Sequence, residues 1–121
     1  TNTQLGLWLN ASSKINFSAN GSDLTGSTTL TTGTWYNIVA VQEANTSRKI
    51  YVNGVLDGTK TSSFGTTPSG TQNWILGSAT SSSSGYTNHF DGKMSHVCLY
   101  DRALSLNDIR QIYNTLKRRY N

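Results

Sequence analysis

Asn53-Gly54 sits between two apolar, β-branched segments in the stretch KIYVNGVLDGTK, Lys49 to Lys60. A type I′ turn requires positive φ at both central residues, and Asn-Gly is a pair that tolerates this. The spacing predicts a tight hairpin and therefore an antiparallel sheet around it. Period-two patterning extends the reading along the chain. Leu5, Leu7 and Leu9 alternate, as do Ile15 and Phe17, and each set predicts a strand with one buried face. WYNIVAVQ, Trp35 to Gln42, is apolar at both parities, which predicts a central strand covered on both faces. A short strand is predicted at Trp74 to Gly77 and a long one, KMSHVCLY, at Lys93 to Tyr100. Between them lie two low-complexity stretches that predict long loops: Thr59 to Gln72, with the sole proline, and Ser78 to Tyr86, with four consecutive serines.

The period changes near the end of the chain. Ile109, Ile112, Tyr113, Leu116 and Tyr120 recur at intervals of three and four, which predicts an amphipathic helix within residues 105–119. Ser105, followed three residues later by Asp108, has the form of a capping box. A helix this short is marginal alone and is expected to lie on the sheets.

The chain has 121 residues, enough for one domain with one core. Only 13% are charged, about half the usual share, and Ser, Thr, Asn and Gly fill the place of charge. Cys98 is the single cysteine, so there is no internal disulfide framework and no cysteine-based zinc site; a buried thiol is expected there. There is no apolar run of about 18 residues, so no membrane-crossing helix is expected. No charged-then-apolar leader is expected either. The formal net charge is +4, and five of the ten cations, Arg102, Arg110, Lys117, Arg118 and Arg119, fall in the last twenty residues. They suit either an anionic polymer or the dipole at a helix C-terminus. Nucleic acid is not an expected partner, because aromatic residues are interleaved with this charge only in the terminal KRRY. N-x-S/T occurs at Asn10, Asn16, Asn20 and Asn45, about as often as this composition gives by chance.

No catalytic residues are expected. Glycoside hydrolysis needs a pair of carboxylates across the scissile bond. The six acidic residues, Asp23, Glu43, Asp57, Asp91, Asp101 and Asp108, form no alternating cluster on one strand. Asp108 reads as a helix cap and Asp57 as a hairpin residue. His89 and His96 are seven apart with no acidic or cysteine partner at ligand spacing. Sugar recognition instead needs aromatic faces for stacking and planar amides or carboxylates for hydroxyls. Such groups gather between Gln72 and Asp91: Asn73, Trp74, Tyr86, Asn88, His89 and Asp91. These six are the candidate ligand-binding residues. The alternative places Trp74 in the core and leaves the others as loop decoration.

GTWYNIVAV, RKIYVNGVLDGT, WILGS and FDGKMSHVCLYDRALSLNDIRQIY, in that order and spacing, resemble the laminin-G-like domain of the concanavalin A-like lectin/glucanase superfamily. The match runs over residues 33 to 113. The resemblance implies an all-β fold, an antiparallel jelly-roll sandwich with one C-terminal helix, forming a single domain over 1–121. It makes Trp35 a core residue and Asn53 and Gly54 the hairpin turn. It turns Val97 and Leu99 inward on the last strand, and sets Leu104 and Ile109 on the helix seam. It also implies strands ahead of Leu5 to Leu9 that this chain lacks, hence an open edge completed by upstream polypeptide or by another subunit, including a second copy. Calcium is common among such relatives, but where many of them carry acidic residues after FDGK this chain has Ser95 and His96. No cofactor is therefore expected, and Asp91 is the one candidate for calcium. Together these readings describe a non-catalytic module that binds a glycan or cell-surface polymer, at the cell exterior or on a virion. The alternative is a structural capsid or tail-fibre decoration protein working through protein contacts.

Overall fold

A computed structural model describes residues 5–19, 22–62, 74–81 and 85–120. The chain divides into two compact units, Thr1–Ser69 with Tyr100–Asn121, and Gly70–Leu99.

The larger unit is built from two three-stranded antiparallel sheets and a helix. The first sheet runs β1 (Leu5–Leu9), β2 (Ile15–Ala19), β3 (Ser22–Thr25) in spatial order. The second runs β4 (Ile38–Glu43), β5 (Ser47–Val52), β6 (Val55–Thr61). Helix α1 (Leu106–Leu116) ends in a short 3-10 turn, Lys117–Arg119.

The second sheet is apolar on both sides because it has two neighbours. Ile50 and Val52 of β5 pack with Ile15, Phe17 and Leu24 of the first sheet, with Ile38 and Ala40 of β4 at the margin. On the other face, Val41 and Tyr51 pack with Leu104 and Ile109, flanked by Val39 and Ile112. The two parities of IVAV thus go to two different cores, which is why that stretch does not alternate. Fully burying an aliphatic side chain such as Ile50, Val41 or Ile109 is worth about 1.5–3 kcal/mol. Leu104 and Ile109 do form the helix seam, as expected.

Arg48 lies on the sandwich-facing side of β5 and is fully buried. Its Nη1 donates to the Ser22 carbonyl at 2.6 Å and its Nε to Gln42 Oε1 at 3.1 Å. The guanidinium also stands 5.8 Å from the centre of the Phe17 ring. Burial pushes its pKa below the ordinary value, and the charge of Asp23 opposes that shift.

The Asn53-Gly54 turn forms as read, with φ of +52° and +77°. Asn53 exchanges two hydrogen bonds with Asn37, its N–H to the Asn37 carbonyl at 2.8 Å and its Oδ1 from the Asn37 N–H at 2.9 Å. A Cβ on Gly54 would stand 3.2 Å from the Tyr113 ring, so the turn is also where the helix packs. Within the same hairpin, the register slips between Ile50 and Tyr51, leaving Asp57 as the extra residue of a bulge. The bulge aims Asp57 Oδ1 at Thr28, accepting from its N–H at 2.9 Å and from its hydroxyl. A Cβ on Gly26 would run into the same carboxylate.

The capping box is complete. The Ser105 hydroxyl accepts from the Asp108 N–H at 3.1 Å, and Asp108 Oδ2 accepts from the Ser105 N–H at 2.9 Å and from Arg102 Nη1 at 3.0 Å. The Arg102 guanidinium, then the Ser105 N–H and hydroxyl, bring the Asp108 pKa down to about 2.

Several expectations are corrected. Only IVAV of WYNIVAVQ meets an apolar cluster on each face, and the strand begins at Ile38 and lies at the side of its sheet, where β5 is central. Trp35 precedes the strand and is 42% exposed, stacked on Tyr120 at 4.7 Å between ring centroids instead of lying in the core. Strand β1 forms, yet Leu5, Leu7 and Leu9 are exposed along with Trp8 between them, because among the described residues little packs on either face of β1. Thr59–Thr61 continue β6. The remaining loop residues from 63 lie outside the described residues. Lys93 to Tyr100 is not a strand. No described strand pairs with it, and His96, at φ +52°, breaks the extended run. Val97 and Leu99 are accordingly 61% and 66% exposed, not inward-facing, and Cys98 is exposed.

Gly54→Ala is expected to destabilise the chain by about 2 kcal/mol, and Gly33→Ala by about 1. Both glycines have φ of +77°, but only Gly54 faces a side chain. Urea unfolding of the two variants measures the difference. The Asp108 carboxyl is more acidic in the folded chain than in the unfolded one, so the ionised cap stabilises the fold above the ordinary pKa of 3.8. That contribution is lost as pH falls through about 2. Thermal melts should show the gap between the native chain and Asp108→Asn closing across that window.

Candidate functional site

The smaller unit carries the residues singled out for recognition. Its framework is a hairpin, β7 (Ala79–Ser81) with β8 (Gly85–Thr87), in the register Ala79↔Thr87, Thr80↔Tyr86, Ser81↔Gly85. The serine-rich stretch read as a loop thus contains two paired strands. Polar β-branched residues and glycine gave it no apolar alternation to be read by. The expected strand Trp74 to Gly77 is instead an irregular approach to the hairpin, turning at Gly77 with φ +82°. A hydrogen bond from the Phe90 N–H to the Gly77 carbonyl, 2.8 Å, closes the base of the hairpin. Asn88, at φ +51°, makes the turn that follows β8. Asn is one of the few side chains that tolerate this region.

That closure brings together residues fifteen apart. Trp74 and His89 line one shallow groove of about 370 Å³ with Ile75, Leu76 and Ser78. Trp74 is 74% exposed and Leu76 is exposed beside it. Trp74 is therefore not a core residue. Asn88 and Asp91 are exposed on the same segment as His89 but do not line the groove. Tyr86 occupies β8 opposite Thr80, and its side chain lies outside the described residues, as does Asn73 altogether. The sequence reading missed Ile75, Leu76 and Ser78 as lining residues. Ile75 and Leu76 read as part of a strand and Ser78 as the start of a loop, whereas the consecutive Trp74, Ile75 and Leu76 reach one surface only where the backbone is irregular.

The groove offers an indole face, a hydroxyl, an imidazole able to donate and accept, and two aliphatic side chains. Asp91 is the sole carboxylate between Gly70 and Leu99, so this unit contains no carboxylate pair of the kind glycoside hydrolysis requires. In the sandwich, Asp57 is held by Thr28, Glu43 by Lys49 at 2.9 Å, and Asp108 by the helix cap. Among the described residues, no three His, Cys, Asp or Glu side chains gather as a metal site would require, and Asp91 has no such company for calcium.

A laminin-G-type family model matches residues 1–110. The chain belongs to the concanavalin A-like lectin/glucanases superfamily. This agrees with the two antiparallel sheets and single C-terminal helix of the fold. Among solved structures, this superfamily member is similar to an S-layer domain-containing protein from Clostridium thermocellum, residues 221–444 of that protein. The TM-score is 0.58 at 21% identity, covering 83% of this chain and 51% of the other. The chain thus spans about half the length of that structure, and the likeness is one of fold. Among curated proteins, none matches it significantly. Among the described residues, no helix is long and apolar enough to cross a membrane.

Proposed function

We propose that this superfamily member is a non-catalytic binding module that holds a glycan in the groove at Trp74, as part of an extracellular or virion-surface assembly. The observation that carries the reading is the indole of Trp74, exposed over most of its surface and set beside His89 in one groove. A flat apolar ring with polar groups at its margin suits the apolar face and hydroxyl rim of a sugar. Asn88 and Asp91, exposed on the segment that follows, extend the hydrogen-bonding capacity. Asn73 and Tyr86 belong to the same stretch of sequence and are assigned to the site on that ground. The superfamily supports the class of ligand, and the likeness to an S-layer domain-containing protein supports a cell-surface setting.

Glycan-array screening followed by calorimetry tests this. A hit is expected to bind Trp74→Ala at least tenfold more weakly, about 1.4 kcal/mol. Equal affinity for the variant, or an array without hits, would remove the assignment.

A second reading, a structural subunit of a capsid or tail fibre, is favoured by β1. Its sequence LGLWL is uncharged and exposed, and β1 is the outer strand of the first sheet among the described residues. Natural edges are usually protected by charge, proline or bulges. Light scattering should then show concentration-dependent association, abolished by Leu7→Lys. A monomer throughout would speak against this reading.

A further inference from the structure

The net charge of this chain is concentrated on α1 and the 3-10 turn that ends it. Ten cations and six carboxylates give +4. Between Ile109 and Tyr120 there are four cations, Arg110, Lys117, Arg118 and Arg119, and no carboxylate. The other six cations are matched in number by the six carboxylates, so the rest of the chain is neutral. The one acid on α1, Asp108, is already engaged by Arg102 and Ser105. Dipole complementation explains cations in the last turn of a helix, but not Arg110, in its first half.

Arg110 of α1 and Arg118 of the 3-10 turn that ends it line one shallow depression of about 640 Å³ with Asn107, Gln111, Asn114 and Thr115. All six side chains are exposed. At about 1.5 Å per residue the two backbone positions are roughly 12 Å apart along the axis. The amides between them can donate and accept, and none of the six lining residues carries a ring. The apolar face of α1 is already committed to the second sheet, with Ile109 fully buried.

We infer that this face of α1 is a second binding site, for an acidic polysaccharide. Guanidiniums pair with carboxylate or sulfate groups in bidentate fashion. The intervening amides match hydroxyls on the sugars between charges. A bilayer surface fits less well, because an interfacial helix must have an apolar face free to insert. Single-stranded nucleic acid fits less well too, because binding it relies on aromatic stacking platforms. The site is independent of the groove at Trp74 and stands whether or not a neutral glycan binds there.

The test measures binding of the full chain to polygalacturonate, dextran sulfate, uncharged dextran, duplex DNA and phosphatidylserine vesicles, at 20 and 200 mM salt. Expected is binding to polygalacturonate, dextran sulfate or both, none to dextran, and marked weakening at the higher salt. The two acidic polymers distinguish a carboxylate from a sulfate ligand. The double variant R110Q/R118Q should bind at least tenfold more weakly, with an unchanged circular dichroism spectrum. K14Q/K93Q, which removes the same charge elsewhere, should bind within about twofold of the native chain. The proposal is overturned if neither acidic polysaccharide binds at low salt, if the two double variants weaken binding equally, or if DNA or vesicles bind more tightly than both polysaccharides.

Discussion

Arg48 is the residue on which the sandwich turns. From the central strand of one sheet it reaches Gln42 on the neighbouring strand, the Ser22 carbonyl at the start of β3, and the Phe17 ring on β2. A guanidinium with no exposure to solvent is costly unless its donors are met. The bonds from Nη1 and Nε form only when both sheets sit in their native register. A one-residue slip of β5 would turn Arg48 outward and bring Lys49 in. The apolar pairs around it supply most of the burial energy, but they are interchangeable in a way that Arg48 is not.

A second constraint follows from the first. With Arg48, Ile50 and Val52 facing the other sheet, Tyr51 must face away, and it joins Val41 in a second apolar layer. That layer would be exposed without α1. The Asn-Gly turn links hairpin and helix, since Gly54 leaves the space that Tyr113 fills. The helix therefore presents a polar, cationic outer face because its apolar one is already used. The basic surface is a consequence of how the sandwich is covered, as well as of the sequence at the chain's end.

Features set by nearest neighbours were legible in the sequence. The turn at Asn53-Gly54, the Ser105–Asp108 box and the three-four spacing of Ile109, Ile112, Tyr113 and Leu116 each depend on residues within a few positions. Their local energetics are enough to place them. The misread segments depend on partners far away. Lys93 to Tyr100 has the alternation of a strand but no described strand to pair with. Trp35 has the composition of a core residue but stacks on Tyr120, 85 positions later. The candidate site lies between these cases. Trp74 and His89 were singled out by residue type, but their shared groove depends on the Gly77–Phe90 closure and on a serine-rich hairpin with no hydrophobic signature.

By itself, the sequence determined the class of fold, the tight hairpin, the capped helix and a family resemblance. These rest on periodicity, positive-φ tolerance and side-chain-to-backbone hydrogen bonds, all local quantities. Only the tertiary structure decided which parity of IVAV meets which core, that Leu5, Leu7, Trp8 and Leu9 of β1 are exposed, that Trp74 is exposed, and that Arg110 and Arg118 line one surface. Alternation shows that a strand can bury a face. Whether the face is buried depends on long-range packing, which a pattern within one segment does not contain.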